Sequence, residues 1–238
     1  MDNKVELIPW DPTSEEQVER LYDQRVACGW HEEAVPRWRE AQLNGTKVTY
    51  WIVLAHDLLG RQELIAQHLA RYPKEREPLV DTTSVIWNAS REATHRHFIP
   101  VGHLSLETAT PPEAKDMTLA SPSTVWLYQV YISWALQRRG LGRSALTVLE
   151  RTAASPPVNA TVIALNTLQK DTQQSEVFLK KAFDDRGMAR PAEVRTNQDW
   201  YMRQGYQVTP GPANGKYIDT TTKEVETVPI VWLKKHLI

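Results

Sequence analysis

The chain has 238 residues, 41% of them hydrophobic and 24% charged, with a formal net charge of −1 at pH 7. That balance supports a packed core and lacks the basic excess that nucleic acid or an anionic membrane would select, so neither is expected as a partner. The single cysteine, Cys28, excludes an internal disulfide, residues 1–5 lack the flank and apolar run of a signal peptide, and no stretch nears the ~20 apolar residues of a membrane span; a cytoplasmic protein is expected.

Residues 5–10 read as a first strand, ended by Asp11 and Pro12. Thr13, Ser14, Glu15 and Glu16 predict a capping box in which Thr13 caps a helix and Glu16 reaches back to it. Val18, Leu21, Tyr22 and Val26 would share one face of that helix, and Gly29 stops it. A second helix is expected over 35–43, with Pro36 tolerated in its first turn and Asn44 and Gly45 closing it. A second strand follows over 50–54. Residues 61–96 combine a helical stretch at 64–69 with loop-like Pro73, Pro78 and the run Asp81 to Ser84, and are expected to be an insertion. A third strand over 98–106, a loop over 111–123 and a fourth strand over 125–134 complete the first half.

Directly after the fourth strand come Gln137, Arg138, Arg139, Gly140, Leu141, Gly142 and Arg143, and then a helix face of Leu141, Ala145, Val148 and Leu149 that ends at Pro156 and Pro157. A helix start leaves backbone N–H groups unpaired and carries roughly half a positive charge, which makes it a ready anion site. Glycines let an anion approach where a Cβ would block it. The spacing Q-x-x-G-x-G is neither the dinucleotide fingerprint nor a P-loop, so a different pyrophosphate ligand is implied. Beyond it, residues 161–168 read as a strand buried on both faces, 174–183 as a helix within a second insertion at about 169–195, and 197–205 as a last helix. Two late strands are expected at 206–209 and 229–233. The whole is read as one domain, with nine tryptophans mostly in the core.

Two segments carry a resemblance. Val130, Tyr131 and Ile132, leading through Ser133 to Leu136 into the Gln137–Gly142 turn, resemble the fourth strand, pyrophosphate loop and third helix of the GNAT superfamily, the acyl-CoA-dependent N-acyltransferases. Tyr201 to Tyr206 are similar to that family's Y-x-x-x-G-F ending of the fourth helix. The sequence departs from the family where Arg138 replaces a usual glycine, where Trp134 replaces a usual proline, and where Val194 and Asn197 stand in place of the Asn and Ala that often precede the tyrosine.

The resemblance implies an α/β fold of α+β type, with a mixed, mostly antiparallel sheet splayed between strands four and five and flanked by helices. It implies acetyl-CoA, or another acyl-CoA, as co-substrate. The pyrophosphate would sit on backbone N–H groups from Arg138 to Arg143, with Gln137, Gly140, Leu141 and Gly142 in the same turn and Arg138, Arg139 and Arg143 free to pair further phosphates. Val130 and Ile132 would offer main-chain groups to the pantetheine arm and the thioester carbonyl, and Tyr201 would be the general acid.

The base is open among Glu107, at the end of the third strand, His103 and Tyr128. Acceptor recognition would fall to Trp30, His31 and Trp38, with Glu32 and Glu33 beside them. His95 and His97, an i, i+2 pair without nearby cysteine, do not have metal-ligand spacing, and no metal is expected. The leading expectation is an N-acetyltransferase acting on a primary amine, of a small molecule rather than a protein, by direct attack in a ternary complex, as a monomer or homodimer. A non-catalytic CoA-binding or scaffold protein of the same fold is the alternative, and an unrelated nucleotide-binding domain a third.

Overall fold

The computed structural model describes residues 3–115, 121–218 and 225–237; of the loop expected over 111–123, residues 116–120 lie outside them. Eight strands build the main sheet: β1 (Val5–Pro9), β2 (Lys47–Leu54), β3 (Pro100–Glu107), β4 (Thr124–Ile132), β5 (Val162–Leu168), β6 (Gln207–Thr209), β7 (Asn214–Ile218) and β8 (Val225–His236). Their order is β1-β2-β3-β4-β5-β8-β6, with β7 also paired to β8. Every pairing is antiparallel except that of β4 with β5.

That one parallel pairing is short. Thr124, Val125 and Trp126 lie opposite Val162, Ile163 and Ala164, and the register ends there. From that point β4 stays on β3 up to Ile132, while β5 stays on β8 up to Leu168. The sheet therefore divides into two wings joined at one end. The strand β5, expected to be buried on both faces, is buried at Ile163, Ala164 and Leu165 and again at Leu168, but Asn166 is exposed.

Among the described residues seven α-helices flank the sheet: α1 (Glu15–Cys28), α2 (Val35–Leu43), α3 (Arg61–Arg71), α4 (Leu141–Ala154), α5 (Lys170–Gln174), α6 (Glu176–Ala182) and α7 (Asn197–Arg203). Alternation along β2 sorts them. Tyr50, Ile52 and Leu54 share a cluster with Leu141, Leu146 and Leu149 of α4, whereas Trp51 and Val53 meet Leu21 of α1 and Val35 and Trp38 of α2. Each buried leucine of α4 contributes about 1.5–3 kcal/mol of transfer free energy, which fixes the helix under the turn that starts it.

Several elements differ from their sequence reading. Ser14, not Thr13, caps α1: its side chain accepts from Gln17 N–H, while the Thr13 hydroxyl donates to Asp11 Oδ1 at 2.7 Å. The carboxylate two residues upstream is the better acceptor and takes Thr13 out of the cap. Nor does α1 bury the expected face. Tyr22 and Val26 are about half exposed, and the inward side is Gln17, Arg20, Leu21, Gln24 and Arg25. The expected insertion over 61–96 holds α3 and a ladder of Val85–Ile86 with Ala89–Ser90, and its Leu79–Val80 pairs with His97–Phe98 just beyond it, so β3 begins at Pro100. The helix expected over 174–183 is broken at Ser175, whose side chain caps α6 by accepting from Phe178 N–H. The hairpin strand β7 had no sequence counterpart.

Candidate active site

Where β4 leaves β5, its backbone is open on one side. Ser133 N–H donates to Val101 O of the β3 segment at 2.8 Å, and the N–H groups of a strand alternate in direction. Ile132 N–H, and two residues earlier Val130 N–H, therefore face away from β3, toward the space that β5 has vacated. Burial follows the same division: Thr124 to Leu127 are buried, and Val130 and Ile132 are partly exposed.

A cavity of ≈ 1970 Å³ fills this space, larger than the ~300–1,000 Å³ typical of a single small-ligand site. Val130 and Ile132 line it, together with Gln137, Arg138, Gly140, Leu141, Gly142 and Arg143 of the turn. Arg138 and Gly140 adopt left-handed backbone, at φ +66° and +79°, which coils the turn before α4 begins at Leu141. No side chain caps α4, so its first N–H groups are left to the cavity. At Gly142 a Cβ would sit 3.3 Å from Trp200 Cζ2, tighter than ordinary contact, so a side chain there would make the indole give way slightly.

Arg139 goes elsewhere. Its Nη2 donates to Gln67 Oε1 at 2.8 Å and its carbonyl accepts from Lys4 Nζ at 3.0 Å. It lines a separate ≈ 280 Å³ cavity with Lys4 and Glu63, on the far side of the turn. Of the three arginines, Arg138 and Arg143 reach the main cavity. Trp134, in the place of the family's usual proline, also lines it, and its Nε1 donates to Ala27 O at 2.9 Å, tying the turn to the end of α1.

Tyr201 lies on the same cavity, placed by α7, which starts at a Thr196 cap accepting from Asp199 N–H at 3.1 Å. Its ring meets those of Trp200 and Tyr206 edge-on, at centroid distances of 4.8 and 5.5 Å. Burial pushes the phenol pKa up, because a phenolate would be desolvated there. Tyr201 is held as a neutral O–H donor.

The remaining expected residues separate. Trp30 lines the cavity beside Glu32, with Phe178 and Glu226 also on its wall. His31, in left-handed backbone at φ +57°, contacts Glu33 at 3.4 Å and lies outside the lining. Burial lowers its pKa. Trp38 is a core residue, 4% exposed, with the cations of Arg25 and Lys47 over its ring at 5.4 and 5.1 Å. Glu107 is also outside the lining. Its Oε1 accepts from the buried Lys47 Nζ at 2.8 Å. Trp38, expected to recognise the acceptor, and Glu107, expected as a base candidate, thus face an ammonium of the protein itself.

His103 is fully buried, and Tyr128 is half-buried with its ring near Lys47 Nζ; neither lines the cavity. Gln24 Nε2 donates to Glu75 and to Pro100 O, which leaves Gln24 Oε1 to accept from His103 Nδ1 at 2.9 Å. His103 Nε2 is then the acceptor for Arg25 Nη1 at 3.3 Å. This neutral tautomer agrees with a pKa well below the usual value, lowered by complete burial and by Arg25 and Lys47. Arg25 also donates from Nε to Trp30 O at 2.7 Å, so a polar network under α1 holds the Trp30 wall. The alternating run His103, Ser105, Glu107 on β3, opposite Trp51, Thr49 and Lys47 on β2, is the sequence signal that could have revealed this polar row.

No family model matches the sequence, and no curated protein does. Solved structures are similar to it. NAA60 of Arabidopsis thaliana, in complex with a bisubstrate analogue, is 11% identical, with 98% of this chain and 99% of that chain covered and a TM-score of 0.51. The aminoglycoside 6'-N-acetyltransferase from Enterococcus faecium is 12% identical over 98% of this chain and 97% of that one, at a TM-score of 0.47. The chain has the GNAT fold: a mostly antiparallel sheet whose fourth and fifth strands diverge between flanking helices. Among the described residues, no helix is long and apolar enough to cross a membrane, and no group of three His, Cys, Asp or Glu is placed to hold a metal ion.

Proposed function

We propose that this protein is an N-acetyltransferase that moves an acetyl group from acetyl-CoA to a primary amine of a small molecule, by direct attack with both substrates bound. The single observation that carries this reading is the divergence of β4 from β5 after Trp126, which opens the Val130 and Ile132 N–H groups beside an anion-suited turn. The cavity volume supports simultaneous occupancy. Its wall, with Trp30, Phe178 and Glu32, combines aromatic faces with a carboxylate, which is chemistry that holds a cationic amine.

In this reading the turn from Arg138 to Arg143 binds the pyrophosphate through main-chain N–H groups, with Arg138 and Arg143 adding charge-assisted contacts. Ile132 N–H faces the carbonyl oxygen on which negative charge gathers, and one such preorganised donor is worth ~2.7–4 kcal/mol. Tyr201 donates its proton, or a hydrogen bond, to the departing sulfur. An alkylamine with a pKa of ~10.4 is about one part in a thousand neutral at pH 7, so a base is needed. Glu107 lies outside the cavity lining, whereas Glu32 is on the wall, and by that position Glu32 takes the role, directly or through water.

The test is thiol release from acetyl-CoA against a panel of polyamines, amino acids and drug-like amines, alongside calorimetry with CoA. Turnover with at least one amine supports the reading. The engagement of Glu107 by Lys47 favours one rival, a CoA-binding scaffold, which requires CoA binding with no turnover anywhere in the panel. Absence of CoA binding contradicts both.

A further inference from the structure

Lys47 opens β2 with a side chain that is completely buried. Its ammonium donates to three acceptors: Ser105 Oγ at 2.8 Å, Glu107 Oε1 at 2.8 Å and Gln129 Oε1 at 2.6 Å. The rings of Trp38 and Tyr128 lie at 5.1 and 5.8 Å. With each N–H committed, this lysine has neither a lone pair nor access for chemistry of its own. Burying an ammonium is unfavourable, and desolvation, offset by Glu107, brings its pKa down to about 8. A methionine or leucine would fill the same volume without that cost.

The third acceptor shows what the ammonium holds. Gln129 has φ +52° in the middle of β4, a conformation disfavoured for a residue with a Cβ. Here the register of β4 on β3 slips: Tyr128 lies opposite Ser105 and Tyr131 opposite His103, so two residues of β4 face one of β3. The Gln129 side chain turns inward, where its Oε1 accepts from both Lys47 and Ser105. The next residue is Val130, and Ile132 follows two further on. A bulge at this position sets the direction in which both N–H groups leave the strand.

We infer that Lys47 is a positioning residue for the β4 backbone: by gripping Gln129 in left-handed geometry it fixes the bulge that aims Val130 and Ile132 N–H into the cleft between β4 and β5. The inference rests on the proposed function for its kinetic consequence and on the structure alone for its backbone consequence, so the experiment reads both. Lys47→Met keeps the aliphatic stem and removes the grip, and Gln129→Gly accepts φ +52° without one.

The measurements are kcat, KM for acetyl-CoA, CoA affinity, melting temperature, and hydrogen exchange of the 127–133 segment, in the wild type, both single variants and the double variant. In Lys47→Met, kcat is expected to fall roughly tenfold or more, as misplacement of a group near the chemistry can cost up to about a hundredfold. CoA affinity, set at the turn, stays within about threefold. Exchange across 127–133 speeds up while that of α4 does not. In the Gln129→Gly background, the same lysine substitution has a much smaller effect on kcat, a non-additivity expected of residues acting through one another.

A Lys47→Met protein with a lowered melting temperature but kcat within twofold and unchanged exchange overturns the inference and leaves a plain structural lysine. So do additive effects in the double variant. If the wild type turns over no amine, the function reading fails by itself, and the exchange of 127–133 still decides the role of Lys47. If Lys47→Met does not fold, Gln129→Ala is read in its place: it must reproduce the faster exchange, and normal exchange in that variant counts against the inference.

Discussion

Along its β3 side, β4 is paired from Trp126 to Ile132, and the bulge within that run is gripped by a fully buried lysine. Along its β5 side the pairing covers three residues and stops. One strand therefore has a closed edge and an open one. Unpaired strand edges are costly to bury and prone to stray pairing, and in the proposed function the acyl-CoA arm is what covers the open one. The closed edge supplies the rigidity that lets the open one be aimed. The polar row of Lys47, Ser105 and Glu107 on one side, and the anion-suited turn on the other, are two halves of a single device for presenting main-chain N–H groups.

The comparison is broken most severely by removing a donor from the open edge alone. Ile132→Pro deletes the N–H that faces the gap and leaves the hydrogen bond of Ser133 to Val101 in place. Proline is tolerated where a strand's N–H does not join a ladder. Turnover is expected to fall by about 10²–10³, with CoA binding by calorimetry retained within severalfold. A variant with near-normal turnover would show that the open edge is not used.

Tyr201→Phe comes next, with an expected loss of roughly tenfold or more in kcat. The wild-type pH profile tests the same residue. Burial raises the Tyr201 pKa, so the phenol keeps its proton as pH climbs past the ordinary tyrosine value of ~10. The rate should therefore rise with amine deprotonation and show no descending limb that belongs to Tyr201 up to about pH 10; a fall near pH 8 belongs to loss of the Lys47 ammonium and persists in Tyr201→Phe. A descent with a midpoint at or below that value, lost in Tyr201→Phe, would contradict the burial argument.

The smallest effect belongs to the turn. Gly142→Ala places a Cβ 3.3 Å from Trp200 Cζ2, and the indole has to give by a few tenths of an ångström. CoA affinity is expected to weaken by a few-fold, about 1 kcal/mol on the scale of overpacking, with kcat for bound substrate little changed. Tighter binding, or a loss confined to kcat, would separate the turn from cofactor affinity.

The open edge was legible in the sequence, and the closed one was not. Gln137 to Arg143 and Tyr201 to Tyr206 are short-range patterns: glycines, a helix start and a cap lie within a few residues of each other, so the chain states its own local geometry. Lys47 meets Gln129 across 82 positions, and Gln24 meets His103 across 79. No periodicity announces such partners. Apolar spacing also misdirected the reading of α1, since hydrophobic pattern takes the buried face to be the oily one, whereas Gln24 and Arg25 are buried because they are fully bonded. Trp30, just past the end of α1, and Trp38, inside α2, look alike as aromatics in the sequence, yet one lies at the cavity and the other under two cations. Arg139 illustrates the reverse limit, since three arginines in one turn cannot all face one side, and only coordinates tell which of them turns away.

The central claim is that the backbone of β4 beyond Trp126 is a binding edge for an acyl-CoA. Its most direct test is amide hydrogen exchange resolved at Val130 and Ile132, with and without saturating acetyl-CoA. The account predicts that both amides exchange readily in the free protein and become protected when acetyl-CoA binds, while Ser133 is slow in both states. Amides at 130 and 132 that are already slow without ligand, or that stay fast when it is bound, would contradict it.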